Sequence, residues 1–398
     1  MESNKKRILI LEGDSRQCLP FIRTLRQEGH HVTIVCPWRC CPGFFSRYPN
    51  KRLIWPDIYH DEEGFRKALF NYIKKEKTDI VLTLGDGAAI LIAKHREEIL
   101  KYVKTHVPNY EILRYGADKS LVMDFCMKNN IPCPLTYSDK KESLDKISSK
   151  LPFPVLVKPV RGTGAVGIHR FETKEQLLQH YETLKAKYGD LIIQENIPLG
   201  KTQFQAEAFC DANSKMKVCM VIGKPRFFPV EGGTSTCNIT INRPDIVELV
   251  RKLLEGIGWI GPADVDLLLD PRDNTPKILE INPRVTAGIK IGFEAGINYA
   301  DLHLKLALGE EIPFIKEYKL GVILRNLCLD MLWYKYSSGD ARKNTNPPFW
   351  QFFGKNVKYQ TLRIDDPLPF IGFILSNLIK YRKPGVWDSK LGTDLTDN

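Results

Sequence analysis

The spacing of apolar residues divides the chain into stretches of different period. Residues 7–36 read strand, helix, strand: an apolar run at Ile8–Leu11, a turn at Glu12-Gly13-Asp14-Ser15, an amphipathic segment through Gln27, and a second run from His31 to Cys36. That is a βαβ opening. Residues 65–76 have helical spacing. Asp79–Leu84 predicts a buried strand ending in Gly85-Asp86-Gly87, followed by a helix to about Tyr102. Strands ending in Gly/Asp turns line the crevice of doubly wound sheets; ordinary turn chemistry would produce the same residues.

The period changes near Pro108. Asp118-Lys119 opens a predicted helix closed by Asn129-Asn130-Ile131-Pro132. A short polar helix and loop are expected over 138–150, a compact strand at Phe153–Pro159, a helix at 174–188 and a strand at Leu191–Gln194. Strand-like segments continue to about Phe228. Residues 246–257 place Ile246, Val250, Leu253 and Ile257 on one helical face. Strands Ala263–Leu269 and Ile278–Ile281 are joined by a turn-rich stretch, Asp270–Pro276, and predict a hairpin. In the second of these strands Ile278, Leu279 and Ile281 are expected to be buried, with Glu280 and Asn282 together on one face.

Length adds that 398 residues exceed one typical core, so two or three domains are expected. Hydrophobic (43%) and charged (26%) fractions are those of a soluble globular protein. The net charge of +11 favours anionic partners such as nucleotides, and hints at an anionic substrate. Basic residues are interleaved with acids, so no nucleic-acid partner is expected. The first apolar run is too short for a signal sequence, and no stretch is long enough to span a bilayer. Ten cysteines at this length do not make a disulfide framework. Cys126, Cys210, Cys219 and Cys328 sit in apolar surroundings, which fits a reducing cytoplasm. Cys36, Cys40 and Cys41 near His30 and His31 match no zinc spacing.

Two clusters carry chemistry. Gly162, Gly164 and Gly167 follow a strand bearing Lys158, and glycines let backbone N–H groups approach phosphate oxygens while a lysine adds charge. A tight turn would look the same, but a lysine inside Val-Leu-Val-Lys-Pro is costly to bury unless an anion compensates it. Asp264, Asp266, Glu280 and Asn282 form the second cluster, and on the predicted hairpin Asp266 is expected to approach Glu280 and Asn282. Close carboxylates need a cation, and magnesium takes one or two carboxylates together with phosphate oxygens. Arg284 would stabilise charge on a transferring phosphoryl group or tetrahedral centre. Only Gly13 stands where a dinucleotide fingerprint needs three glycines, so a nicotinamide site is not supported.

Asp118-Lys119, Asn130-Ile-Pro-Cys-Pro134, Lys158-Pro-Val-Arg-Gly-Thr-Gly-Ala-Val-Gly-Ile168, Gln194-Glu-Asn-Ile197 and Leu279-Glu-Ile-Asn-Pro-Arg284 occur in this order. As a set they resemble the ATP-grasp superfamily, most closely its carbamoyl-phosphate-synthase-like carboxylate–amine ligases, over roughly residues 5–312. The resemblance implies a mixed α/β and α+β fold: a Rossmann-like pre-ATP-grasp domain at 1–112, an ATP-grasp domain at 113–312 with its lid at about 135–198, and a basic C-terminal extension at 313–398. It implies ATP with Mg2+ or Mn2+, and an ATP-dependent joining of a small carboxylate to an amine through an acyl phosphate. Lys119 and Lys158 would contact phosphates, with Lys158 and Arg284 as the catalytic pair. Gly162, Thr163, Gly164 and Gly167 would form the lid loop. Gln194, Glu195 and Ile197 would be the adenine hinge, and Asp266, Glu280 and Asn282 the metal ligands. Glu231–Ser235 resembles a substrate-side loop, or a flexible turn. Ala165 replaces a frequent serine. Lys201 stands where an acid commonly binds ribose, leaving Glu207 as a substitute. A phosphotransferase, a carboxylase and a non-catalytic ATP-binding protein at a membrane surface are the alternatives.

The stretch 366–380 is apolar, too short to span a bilayer, and followed by Tyr381, Arg382 and Lys383. It reads either as an interfacial helix with Lys380, Arg382 and Lys383 on anionic lipid at the inner membrane face, or as a helix docked on the protein.

Overall fold

The computed structural model describes residues 5–162, 167–198, 203–230 and 233–381. Three sheets organise them. The first is parallel, in the order Lys51–Ile54, His31–Cys36, Arg7–Ile10, Ile80–Leu82, Lys104–Thr105. Its three central strands are short and largely buried, as a sheet covered by helices on each side requires, while the edge strands carry Lys51, Arg52 and Lys104. Chain order reverses between Arg7–Ile10 and Ile80–Leu82, and the turns at the carboxyl ends of the strands gather there.

The second sheet has seven strands, in the order Thr275–Asn282, Gly261–Asp270, Gln203–Cys210, Met216–Phe228, Thr234–Ile241, Ile323–Arg325, Val357–Tyr359. The expected hairpin is present: Gly261–Asp270 and Thr275–Asn282 pair antiparallel, with Asp266 opposite Glu280 and Asp264 opposite Asn282. The register shifts after Asp266, so Leu279 is the extra residue of a β-bulge. Leu279 is therefore half-exposed instead of buried as its neighbours suggested, while Ile278 and Ile281 are in the core.

The third sheet, antiparallel, runs Thr136–Tyr137, Leu191–Glu195, Val155–Pro159, His169–Phe171. Val155, Val157, Leu191 and Ile193 pack there against Leu177, Tyr181 and Leu184 of the helix Lys174–Tyr188.

The parallel and central sheets do not have separate cores. Ile8, Ile10, Phe21, Ile80 and Leu82 share one apolar cluster with Phe209, Met220, Ile291, Tyr299 and Leu324. A continuous apolar core resists relative sliding, unlike the wetter contact usual between domains. On the other face of the central sheet, the helices Lys119–Lys128 and Pro244–Gly256 cover Phe204, Ala206, Val221 and Val265.

Beyond residue 312 the chain continues the central sheet through Ile323–Arg325 and Val357–Tyr359. Asp330 binds Arg226 and Arg325 at 2.7 Å each, all three fully buried, pinning the helix Leu327–Tyr336 to the sheet. The final helix, Leu368–Tyr381, docks on the short helix Pro42–Phe45. A side chain at Gly372 would approach the Cys41 carbonyl to 2.9 Å. Asp366, just before it, accepts Arg23 Nη2 at 3.0 Å and Ser46 Oγ at 2.7 Å. Cys126, Cys210 and Cys219 are buried as expected, but Cys328 is exposed on the first turn of its helix.

Candidate active site

Alternation along three adjacent strands of the central sheet builds one polar face. Gln203, Gln205 and Glu207 lie beside Asp264 and Asp266, which lie beside Asn282 and Glu280. The residues between, such as Phe204, Ala206 and Val265, point into the core, so period-two patterning alone concentrates the oxygen ligands. The bulge at Leu279 turns that residue and Glu280 together into the cleft.

The cleft holds about 290 Å3 between this face and the third sheet. Its walls include Lys119, Lys158, Gly162, Gln194, Lys224, Asp266, Leu279 and Glu280. Asp118 caps the helix Lys119–Lys128 by accepting from Ser120 and Leu121 N–H groups, which fixes Lys119 at the helix start. From there Lys119 Nζ reaches the Gly162 carbonyl at 2.9 Å and Glu280 Oε2 at 3.1 Å. Lys158 lies on the face of Val155–Pro159 opposite Val155 and Val157, and donates to Gln194 Oε1 at 2.7 Å. Burial drives its pKa down to about 8, partly opposed by Glu280 and reinforced by Lys119. Lys224 Nζ donates to Asp266 Oδ1 at 2.6 Å, and Asn282 Nδ2 to Asp266 Oδ2 at 3.2 Å.

Of the expected site residues, the structure brings Lys119, Lys158, Gly162, Gln194, Asp266 and Glu280 to this one cleft, with Asn282 bonded to Asp266. Glu195 and Ile197 are buried and are not among its described lining residues; the Glu195 carboxylate pairs with Lys277 at 3.3 Å. Gly167 has φ +75° and packs on Pro159 and Tyr188. Thr163, Gly164, Ala165, Lys201, Glu231 and Gly232 lie outside the described residues, while Gly233 lines the cleft.

Glu207 cannot replace a ribose-binding acid. It is fully buried, accepts the Thr286 N–H at 3.0 Å, and stands next to Asp264, away from the lining of the cleft. Burial, then the neighbouring Asp264, pushes its pKa well up. Gln203 lines the cleft instead. Sequence reasoning missed Lys224 and Gln203, although period two from Glu207 would have placed Gln203 on the same face.

Arg284 stands at one end of the polar face. It donates to Asp264 Oδ2 at 3.1 Å and Asn282 Oδ1 at 3.2 Å, and pairs with Asp86 of the N-terminal unit at 3.1 Å. Burial opposes its charge, but Asp86 and Asp264 outweigh this and raise its pKa. Asp264 is itself pushed up to about 7 by burial and by Asp266, with Arg284 opposing.

The ATP-grasp domain family matches residues 116–288. The chain carries an ATP-grasp domain, and its fold is that of ATP-grasp proteins. It is 27% identical over 308 residues to the D-aspartate ligase of Enterococcus faecium, covering 71% of this chain and 72% of that one. It is 22% identical to the carbamoyl phosphate synthase large chain of Archaeoglobus fulgidus, over 78% of this chain but only 30% of the relative's length. The crystal structure of N5-carboxyaminoimidazole synthetase from Staphylococcus aureus with ADP superposes with a TM-score of 0.62 at 17% identity, covering 80% of this chain and 82% of that one.

Proposed function

We propose that this protein is an ATP-dependent carboxylate–amine ligase. The observation that carries the reading is the cleft where Lys119, Lys158 and Lys224 converge on Asp266 and Glu280, with Arg284 adjoining. Three ammonium groups around two carboxylates leave a cationic surplus suited to a polyphosphate. The relationship to D-aspartate ligase supports ligation over other ATP-grasp chemistry.

A substrate carboxylate oxygen attacks the γ-phosphorus, the bond to ADP breaks, and an acyl phosphate forms. The amine nitrogen then attacks the acyl carbon, phosphate leaves with the C–O electron pair, and an amide results. Lys119 and Lys158 orient and neutralise the phosphates, Gln194 holds Lys158 in place, and Arg284 stabilises negative charge at the acyl centre. Asp266, Glu280 and Asn282 would hold Mg2+. Among the described residues no three His, Cys, Asp or Glu side chains form a metal cage. Two opposed carboxylates and an amide instead suit an ion completed by phosphate oxygens and water. Bound there, magnesium would screen the phosphates and favour departure of ADP.

The test is release of ADP and phosphate with pools of carboxylates and amines. Release that needs both pools supports ligation. Release with a carboxylate alone, or transfer of phosphate to a stable acceptor, points to the other ATP-grasp chemistries. Nucleotide binding without turnover points to a sensor.

We also infer a peripheral membrane contact from the last helix. Its inner face is docked, yet Leu368, Ile371 and Leu378 form an exposed stripe at helical spacing, preceded by Ile364 at full exposure. By sequence, Lys380, Arg382 and Lys383 follow. An apolar stripe beside cations suits an anionic lipid surface. Among the described residues no helix is long and apolar enough to cross a membrane. Flotation with phosphatidylserine vesicles is expected for the full chain and not for Ile371→Glu/Leu378→Glu. Equal flotation of the two would sink the idea.

A further inference from the structure

At the amino ends of the parallel strands, the end of the sheet remote from Arg284, a pocket of about 160 Å3 opens to the surface. Strand register builds it. Arg7 pairs with His31, Leu9 pairs with Thr33, and Thr33 pairs in turn with Lys51. Paired residues of neighbouring strands share a face, and alternation puts His31 on the same face as Thr33. Three adjacent strands thus present Arg7, His31 and Lys51 around Thr33. Tyr72, Glu76 and Lys77 close the other side, from the last turn of the helix Glu62–Lys75 and the turn after it.

Charge on this lining is unequal. Its cations are Arg7, Lys51 and Lys77, and its carboxylate is Glu76, which Lys51 pairs at 3.3 Å. Among the described residues Arg7 and Lys77 have no ion pair. Asp79 accepts the Arg7 N–H at 2.6 Å from outside the lining, and counting it against the cations still leaves them in excess. The helix Glu62–Lys75 ends here and its terminal carbonyls attract cations, but Lys74 and Lys75 of its last turn already stand there. Burial, then Arg7 and Arg26, lowers the pKa of His31, so at neutral pH its ring is uncharged and donates one hydrogen bond. Thr33 is 4% exposed on the otherwise apolar run Val32–Cys36, and its hydroxyl has no hydrogen-bond partner among the described residues. A hydroxyl in that position needs a partner from the pocket itself.

We propose that this pocket binds a phosphate group, free or as a small ester. Arg7 offers a planar fork of donors to two oxygens, Lys77 adds a point charge, and Thr33 and His31 donate from the floor. At about 160 Å3, against about 290 Å3 for the nucleotide cleft, the pocket is sized for a phosphate on a short stem and not for a second nucleotide. None of its lining residues lines the cleft, so the site is independent of the ligase reading.

The test is calorimetric titration of the full chain with glycerol 3-phosphate and with inorganic phosphate. Saturating Mg2+ and the β,γ-imido analogue of ATP are present, to keep added phosphate out of the cleft. Saturable binding of both anions is expected, and none of glycerol. Arg7→Gln/Lys77→Gln should weaken both anions by at least about tenfold, since it removes two charged donors. Thr33→Val leaves every charge in place and should weaken them by at least about threefold, the worth of one hydrogen bond. A cooperative thermal transition reports that each variant is folded. The proposal is overturned by no saturation with either anion, or by parental affinity in the double variant. A loss confined to the charge variant, with Thr33→Val binding like the parent, would show diffuse attraction and overturn it too. So would binding to phosphatidic acid vesicles with neither soluble anion bound, which would assign the surface to a membrane.

Discussion

Lys119 and Glu280 form an ion pair of 3.1 Å in the wall of the cleft, linking the start of a helix to the strand that ends at Asn282, just before Pro283 and Arg284. The pair ties a phosphate-binding candidate to a metal-binding candidate. On the proposed reading, the carboxylate would exchange its lysine for a metal when nucleotide enters. Glu280→Gln keeps the shape and removes the charge. Turnover is expected to be nearly abolished and Mg-ATP binding weakened, measured as ADP release and by titration with Mg-ATP. Full activity would refute the metal assignment.

Arg284→Ala removes a donor held in place by Asp86, Asp264 and Asn282. Loss of one charge-stabilising donor costs roughly 3 kcal/mol of transition-state stabilisation, about a hundredfold in rate. Steady-state kcat for ligation checks this, and a rate within about twofold of the parent would count against the role.

Lys158 gives a pH dependence. Its pKa lies at about 8 because burial disfavours the cation. The ammonium form binds phosphate, so ADP affinity is expected to be highest below about 8 and to fall as pH rises through that value. Titrations between about pH 6.5 and 9.5 test it, and Lys158→Met should remove the inflection.

Glu12 governs stability in the opposite half of the scale. Burial raises its pKa from 4.5 to about 7, against the lowering effect of the Ala88 N–H and with Asp14 adding to the rise. A raised carboxyl pKa means the folded state holds a proton that the unfolded chain has released. Its contribution is therefore present below about 4.5 and lost as pH rises through about 7. The thermal midpoint should fall over that window, and Glu12→Gln should flatten the fall. A midpoint curve with the same slope in both proteins would exclude Glu12 as the source.

Asp366 clamps the C-terminal segment to the N-terminal unit through Arg23, Ser46 and the Arg47 N–H. Asp366→Ala leaves Arg23 buried without its partner, at a cost of about 3–5 kcal/mol. Urea denaturation should show this loss, whereas nucleotide affinity should be retained, since none of these residues lines the cleft.

The sequence by itself determined many of the elements up to about residue 312 and the residue types that gather in the cleft, because both rest on short-range rules. Period two put Glu280 and Asn282 on one face, Asp118 announced the helix that carries Lys119, and Lys158 stood out as a charge inside an apolar strand. Only the tertiary structure decided which residues meet across the chain. Pairing register set Asp266 opposite Glu280 and sent Leu279 into the cleft, and Glu207 proved to be a buried neighbour of Asp264. Lys224 and Asp86 reach Asp266 and Arg284 from segments remote in sequence. The chain beyond residue 312 continued the central sheet and closed back on Arg23. The physical reason is that local spacing fixes which face a side chain takes, while packing of distant segments fixes what that face meets.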